Sequence, residues 1–295
     1  MSVPVNERLA SGRRGALYLT IPTAGSHPRL LGDIVDTCGL PREHVLLIRT
    51  KPDVDLPSGC IVIDDFEEPN IQRWWKRGID ESAARGATAV AVLNDDLRIE
   101  KDTLQKLYSE LVATGATVAT PSRPGLRLGV HKRPLIPYEP VVWGCLWMVD
   151  ATTDLRPDPH YVWWYGDNDL DIRARRDYAG IVSCDVVYEH HFPGVGTSKS
   201  PKLIRQSDLD AATFQADYSR LLTLSRWYRR LFKRRVETPP AKQHIGRLSQ
   251  NQTGGNNPSE GGQHRIQDHN ERDHQECDRN EGAPHGDPGQ VGTHP

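Results

Sequence analysis

Cysteine is scarce in this chain, and what there is carries no pattern. Cys38, Cys60, Cys145, Cys184 and Cys277 show no CxxC spacing. An odd, scattered set argues against a disulfide framework and a thiolate zinc site, and for reduced thiols in a cytoplasmic setting. Long apolar runs are missing too: none approaches the roughly 20 residues that a membrane-spanning helix needs. Met1 to Arg14 has no apolar core of the signal-peptide kind. Nor is there an excess of one charge sign. A net charge of -2 supplies no basic field, so no nucleic-acid partner is expected. No internal repeat is visible.

Large apolar residues nearly vanish after Val236. Glu237 to Pro295 is rich in Gly, Asn, Gln, His, Asp and Pro, too polar to offset its ordering entropy by burial. It reads as a disordered tail. His244, His264, His269, His274, His285 and His294 lie in it at irregular intervals, which fits a solvated segment better than a metal site. Before Val236, apolar runs alternate with helical patterns. The expected organisation is a flexible start over 1–14, one α/β domain over 15–205, a basic helical segment over 206–236 and the tail over 237–295.

Within the α/β part, Gly15 to Ile21 reads as the first strand, ending in the loop Pro22-Thr23-Ala24-Gly25. His27 to Cys38 suits a short helix. His44 to Ile48 and Cys60 to Ile63 suit strands, the latter closed by Asp64-Asp65. Asn70 to Arg85 has the helical period, with Ile71, Trp74, Trp75, Gly78, Ile79 and Ala83 near one face. Lys101 to Thr114 is predicted helical and Thr117 to Thr120 extended. Ser122 to Pro140 is irregular, as a connector or a loop over the site. Val141 to Val149 is expected to cross beneath the site as a strand.

Two clusters carry chemistry. The run Ala89-Val90-Ala91-Val92-Leu93 is apolar without alternation, as in a parallel strand buried on both faces. It ends in Asn94-Asp95-Asp96, at the edge where open α/β sheets bind ligands. Adjacent carboxylates there suit Mg²⁺ or Mn²⁺ carrying a phosphate. The plainer alternative is that Asp95 or Asp96 caps a helix starting near Glu100. The second cluster is Trp163-Trp164-Tyr165-Gly166-Asp167-Asn168-Asp169-Leu170-Asp171, followed by Arg173, Arg175 and Arg176. Asp167 and Asp169 either gain from a helix dipole or place a general base beside aromatic walls.

Taken together, roughly Leu17 to Ser200 resembles the GT-A-fold glycosyltransferases, and within them the family 2 inverting enzymes of the rhamnosyltransferase-like kind. Leu19-Thr20-Ile21-Pro22-Thr23 looks like the donor-binding opening. Leu93-Asn94-Asp95-Asp96-Leu97 looks like the DxD-type metal motif with Asn first. Tyr165-Gly166-Asp167-Asn168-Asp169-Leu170, with Arg173, looks like the acidic Glu-Asp-x-Asp-Leu motif. The resemblance implies an α/β GT-A fold: a Rossmann-like, mostly parallel central sheet flanked by helices. It implies transfer of a sugar from a nucleotide-diphosphate donor to an acceptor hydroxyl on a glycan, lipid-linked or protein acceptor, with Mn²⁺ or Mg²⁺.

Residue by residue, Pro22, Thr23, Asn94 and Asp95 match donor contacts. Asp96, with Asp95 beside it, matches the metal carboxylate. Asp167 matches the base, and Asp169 a second acid that orients the acceptor and the following helix. A histidine after the next strand commonly completes the metal or diphosphate site; His190 and His191 are both candidates, and strand alternation allows only one. Three departures stand out. Gly166 replaces the usual Glu, Lys76 sits where Asn is common, and Arg49-Thr50-Lys51 lacks the acid that often meets the base, for which Asp64 and Asp65 are substitutes. Gly166 also supports an alternative, a non-catalytic nucleotide-sugar or carbohydrate-binding protein in a GT-A shell. A sugar-1-phosphate nucleotidyltransferase fits less well, because Pro22-Thr23-Ala24-Gly25-Ser26 is a poor match to its loop.

Ser207 to Arg235 suggests one or two helices. Arg226 to Arg235 is basic and aromatic, suited to peripheral contact with an anionic inner-membrane surface, to nucleic acid, or to packing on the domain with a solvated basic face. The expected location is cytoplasmic, or peripheral at that surface.

Overall fold

The structure, a computed structural model, describes residues 15–133, 136–191 and 200–232. The expectations for 1–14 and 237–295 lie outside them, with Cys277 and the tail histidines. In chain order the strands are β1 (Ala16–Thr23), β2 (Val45–Arg49), β3 (Ile61–Asp64), β4 (Ala87–Leu93), β5 (Leu97–Ile99), β6 (Val118–Pro121), β7 (Gly129–His131), β8 (Leu146–Asp150), β9 (Ile181–Cys184) and β10 (Tyr188–His190). The helices are α1 (Pro28–Thr37), α2 (Ile71–Ala84), α3 (Thr103–Thr114), α4 (Gly166–Asp177), α5 (Pro201–Asp217) and α6 (Ser219–Phe232).

The main sheet has the order β3-β2-β1-β4-β8-β6-β9-β7. It is parallel from β3 to β4 and again between β6 and β9. β8 runs antiparallel between β4 and β6, and β7 closes the far edge antiparallel to β9. Side chains alternate between faces along a strand, and both faces here are covered. Leu19, Ile21, Leu47 and Ala91 pack with Leu31, Ile34, Leu104 and Leu107 of α1 and α3. Tyr18, Leu46, Val90 and Val92 pack with Trp74, Trp75 and Ile79 of α2. That two-sided burial is why these strands read as continuous apolar runs. Gly78 brings α2 directly onto β1: a Cβ there would lie 1.9 Å from Thr20 Oγ1.

Three details differ from the sequence reading. Asp95 and Asp96 do not cap a helix. They lead into β5, which pairs antiparallel with β10 as a separate two-stranded sheet, and α3 begins only at Thr103. The stretch Ser122 to Pro140 holds a strand, β7, within its irregular course. Val141 to Val149 is extended in the sheet only from Leu146 onward. The N–H groups of Val141 and Val142 donate to Asp171 Oδ2 (2.6 and 3.0 Å), and that of Gly144 to Asp167 Oδ2 (3.0 Å), which removes them from a strand ladder.

Two helices follow, α5 running through residues 205 and 206. They pack on the domain through Phe214, Tyr218, Leu221 and Leu222 against Tyr138, Tyr161 and Ile172. Among the described residues no helix is long and apolar enough to cross a membrane.

Candidate active site

The carboxyl ends of β1 and β4 lie side by side in the parallel sheet, so Thr23 and the 94–96 turn meet at one edge. Thr23 Oγ1 donates to Asp95 Oδ2 at 2.6 Å and accepts from Gly25 N–H at 3.0 Å. Burial pushes the Asp95 carboxyl above the usual range, against the Thr23 hydrogen bond and nearby His27. Pro22 precedes Thr23 on the same strand, in register with Ile48.

Asp96 faces the second sheet. Because β10 pairs with β5, His190 comes opposite Leu97, and its Nε2 lies 3.0 Å from Asp96 Oδ2. The other oxygen, Asp96 Oδ1, is buried and has no hydrogen-bond partner among the described residues. His191 meets Asp96 through the backbone instead, its N–H donating to the Asp96 carbonyl at 3.0 Å. The His191 side chain approaches Glu189 at 3.4 Å. Of the two histidines, then, His190 is the one whose ring reaches the carboxylate.

Asp167 sits in the first turn of α4. Its two oxygens accept from the N–H groups of Gly144 and Asn168, both at 3.0 Å. The side chain stays partly open to solvent, yet it is surrounded closely enough that burial raises its carboxyl pKa, against those two donors. The next residue in the chain ties this acid to the other cluster: the Cys145 carbonyl accepts from Asn94 N–H at 3.1 Å. One dipeptide, Gly144-Cys145, therefore bridges the two acidic motifs.

The other carboxylates of the second cluster point elsewhere. Asp169 is buried, bound by Arg173 Nε at 2.8 Å and by the Tyr218 hydroxyl at 2.6 Å. Asp171 is fully buried with Arg175 at 3.1 Å. Tyr165, just ahead, takes a left-handed backbone (φ 62°) and stacks on Phe214 at 5.2 Å rather than walling Asp167.

Gly166 has a physical reason. A Cβ there would lie 2.1 to 2.4 Å from the carboxamide of Gln72, which reaches over from α2. Gln72 is 1% exposed, and its Oε1 finds no hydrogen bond among the described residues. The helical-period reading left Gln72 off the buried face. Asp210 was missed as well: it is buried on α5 and accepts from the N–H groups of Trp163 and Trp164, both at 2.8 Å, holding the aromatic turn. A carboxylate deep within a mixed helix gave no local sign of this.

Asp64 and Asp65 lie at the same sheet edge but beyond β1, at the end of β3. Asp64 pairs with Arg49 at 2.6 Å on the surface, and that bond lowers its pKa. Asp65 is buried; desolvation opposes ionisation, but Arg73 at 2.6 Å and Arg77 at 3.2 Å outweigh it and lower its pKa. A cleft of about 240 Å³ opens beside the Gly144 turn, lined by Thr120, Ser122, Arg123, Trp143 and Tyr188. The Arg123 guanidinium lies over the Trp143 ring at 5.2 Å. A hollow of about 290 Å³ among Arg73, Lys76, Arg77 and Asp80 is lined by none of the candidate site residues.

Among the described residues no group of three or more His, Cys, Asp or Glu side chains is placed to hold a metal ion by itself. Asp96 and His190 still fit Mn²⁺ or Mg²⁺. Such ions commonly take one or two protein ligands and complete their shell with water and substrate phosphate. The unpaired, buried Asp96 Oδ1 is the kind of atom a cation satisfies.

No family model and no curated protein sequence matches the chain. Among solved structures, glucosyl-3-phosphoglycerate synthase from Mycobacterium tuberculosis, in complex with Mn²⁺, uridine diphosphate and phosphoglyceric acid, is similar at a TM-score of 0.51. Identity is 13%, over 73% of this chain and 83% of that one. S. aureus TarS 1-349 matches at a TM-score of 0.46 and 10% identity, over 74% and 72% of the two chains. The first likeness, together with the sheet order, establishes the fold: this is a GT-A fold, a mostly parallel central sheet flanked by helices.

Proposed function

We propose that the chain is an inverting glycosyltransferase of the family 2 kind, moving a sugar from a nucleotide-diphosphate donor to an acceptor hydroxyl with Mn²⁺ or Mg²⁺. The observation that carries this reading is the Gly144-Cys145 bridge. It holds a half-buried carboxylate of raised pKa, Asp167, next to the strand end that bears Asn94, Asp95 and Asp96. The GT-A fold supports it, as does the Mn²⁺ and uridine diphosphate held by the Mycobacterium tuberculosis enzyme.

In this mechanism Asp96 and His190 would hold the cation, and Asp95 is locked by Thr23. When bound, the cation supplies Lewis-acid neutralisation of the departing diphosphate. Pro22, Thr23, Asn94 and Asp95 border the nucleotide. Asp64, exposed though paired with Arg49, is the more accessible substitute for a base contact, since Asp65 is buried beneath two arginines. Asp167 accepts the proton of the acceptor hydroxyl. The hydroxyl oxygen bonds the anomeric carbon as the bond to the diphosphate oxygen breaks on the opposite face, so configuration inverts. A carboxylate raised toward neutrality by burial is a better base for this step than a solvated one. Asp169 acts indirectly, by fixing Arg173 and Tyr218 behind the site. The cleft by Trp143 offers an aromatic face and a cation to an acceptor glycan, free or lipid-linked.

The test is a panel of nucleotide sugars with Mn²⁺ or Mg²⁺, read as nucleoside diphosphate release, with an EDTA control. Metal-dependent release from one donor, lost in Asp167→Asn, supports the reading. Donor binding by calorimetry without turnover, across an adequate acceptor set, would favour a non-catalytic nucleotide-sugar-binding protein, for which Gly166 is the motif's best argument.

A further inference from the structure

Helix α6 has two apolar faces, and among the described residues the domain covers one of them. On the covered side, Leu221 and Leu222 join the cluster around Phe214 and Tyr138. Ser225 Oγ accepts from Tyr138 N–H at 2.8 Å, and Arg229 donates to the Tyr138 carbonyl at 2.6 Å. On the other side, Leu224, Trp227 and Leu231 are 49, 60 and 51% exposed. Their spacing of three and four residues places them in one stripe along a helix. Phe232 extends it at the helix end, 56% exposed. Apolar residues scattered singly over a surface need no explanation, but an aligned stripe does.

The charge around that stripe has one sign. Arg220, Arg226 and Arg230 are exposed beside it. No acidic residue occurs from Ser219 to Val236, and the sequence continues as Lys233-Arg234-Arg235. This is the composition of a helix that lies in a membrane interface: apolar and aromatic side chains among the headgroups, arginines against anionic phosphates. A second copy of the chain would meet the same arginines and be repelled.

We propose that α6 is an interfacial helix that docks the protein on an anionic phospholipid bilayer through Leu224, Trp227 and Leu231, with Arg220, Arg226 and Arg230 paired to headgroups. The proposal stands on the helix alone and does not depend on the reaction assigned to the site.

The experiment is co-sedimentation of the full chain with phosphatidylcholine vesicles, with and without phosphatidylglycerol. Binding is expected to the anionic vesicles alone, and to fall when salt is raised toward about 1 M, where the Debye length shrinks to roughly 3 Å. Arg226→Gln and Arg230→Gln should each lower the partition about five-fold. The triple change Leu224→Ser, Trp227→Ser, Leu231→Ser should lower it at least ten-fold by the loss of buried apolar area. Circular dichroism and thermal unfolding check that each variant folds; the arginine pair, being exposed, keeps the test decisive if the triple variant does not. Absence of binding to anionic vesicles, equal binding to neutral ones, or wild-type partition in the variants would overturn the proposal. Vesicle-independent self-association abolished by the triple change would do the same, by assigning the stripe to a second copy.

Discussion

Replacing Asp167 by Asn changes one atom of the proposed base and keeps its shape. Loss of a positioned base lowers turnover by roughly 10² to 10⁴, which is about 3–5 kcal/mol of transition-state stabilisation. Donor affinity should hold, because Asp96 and His190 are a separate pair. Stability is set by two opposed effects. The carboxylate accepts N–H bonds on both oxygens. An Asn has one oxygen, so its NH₂ faces a backbone donor, at a cost of about 1–3 kcal/mol. Against that, burial raises the native pKa of Asp167 above its unfolded value. The native state then binds more protons in the window between the two, and wild-type stability falls as pH rises through it. Asn carries no such penalty. The variant should therefore compare best with wild type near neutrality and worst at acid pH below the ordinary carboxylate range. Wild-type kcat/KM should show an acid limb displaced upward from that range, absent from any residual activity of the variant. Nucleoside diphosphate release across pH, beside thermal unfolding at the same values, measures both. Normal turnover, or a variant whose relative stability does not change with pH, would refute the reasoning.

Asp96→Ala and His190→Ala should each weaken Mn²⁺-dependent nucleotide binding at least ten-fold by calorimetry, in line with the roughly 10- to 100-fold cost of disturbing a metal's ligand shell; an unchanged metal response would remove that residue from the cation site. Asp169→Asn should act mainly on stability. Breaking a buried ion pair costs about 3–5 kcal/mol, and the 23% exposure of the Arg173 side chain reduces this to about 2–3. A normal melting temperature with abolished turnover would instead give Asp169 direct contact with substrate. Gly166→Ala should destabilise by about 1–3 kcal/mol through overpacking against the Gln72 carboxamide. Much of that loss should be recovered in Gln72→Ala/Gly166→Ala, and strictly additive costs in the double-mutant cycle would show that the two do not touch.

The parallel strands were legible because β1, β2 and β4 are buried on both faces, and no helix of that length is so uniformly apolar. The first acidic cluster was legible for a related reason, since charges that abruptly end an apolar strand lie at the sheet's edge; the second was legible as acids gathered at the start of a helix after an aromatic run. What could not be read is whatever depends on pairing across the chain. β5 and β10 are three residues each, too short for any local propensity to mark. Yet their register puts the ring of His190, and only the backbone of His191, against Asp96. Val141 to Cys145 has strand composition, but side chains of α4 claim the N–H groups of Val141, Val142 and Gly144. Gln72 is polar and falls off the apolar period, yet the missing side chain at 166 makes room for it.

Those same contacts explain why the second cluster carries so many acids. If all of its carboxylates were catalytic, their mutual repulsion in a half-buried site would be hard to sustain. The chain instead divides them by what they bind. Asp171 accepts backbone N–H groups at 141 and 142 and pairs with Arg175, so it fixes the approach to β8. Asp169 is compensated by Arg173 and accepts the Tyr218 hydroxyl, so it fixes the junction of α5 and α6 against α4. Asp167 is the one of the three with no cationic partner among the described residues. Backbone donors steady it and no cation pairs with it there, while burial raises its pKa above the ordinary carboxylate range. Two acids are paired with arginines, and the third is held by Gly144, whose neighbour Cys145 binds Asn94, two residues before Asp96.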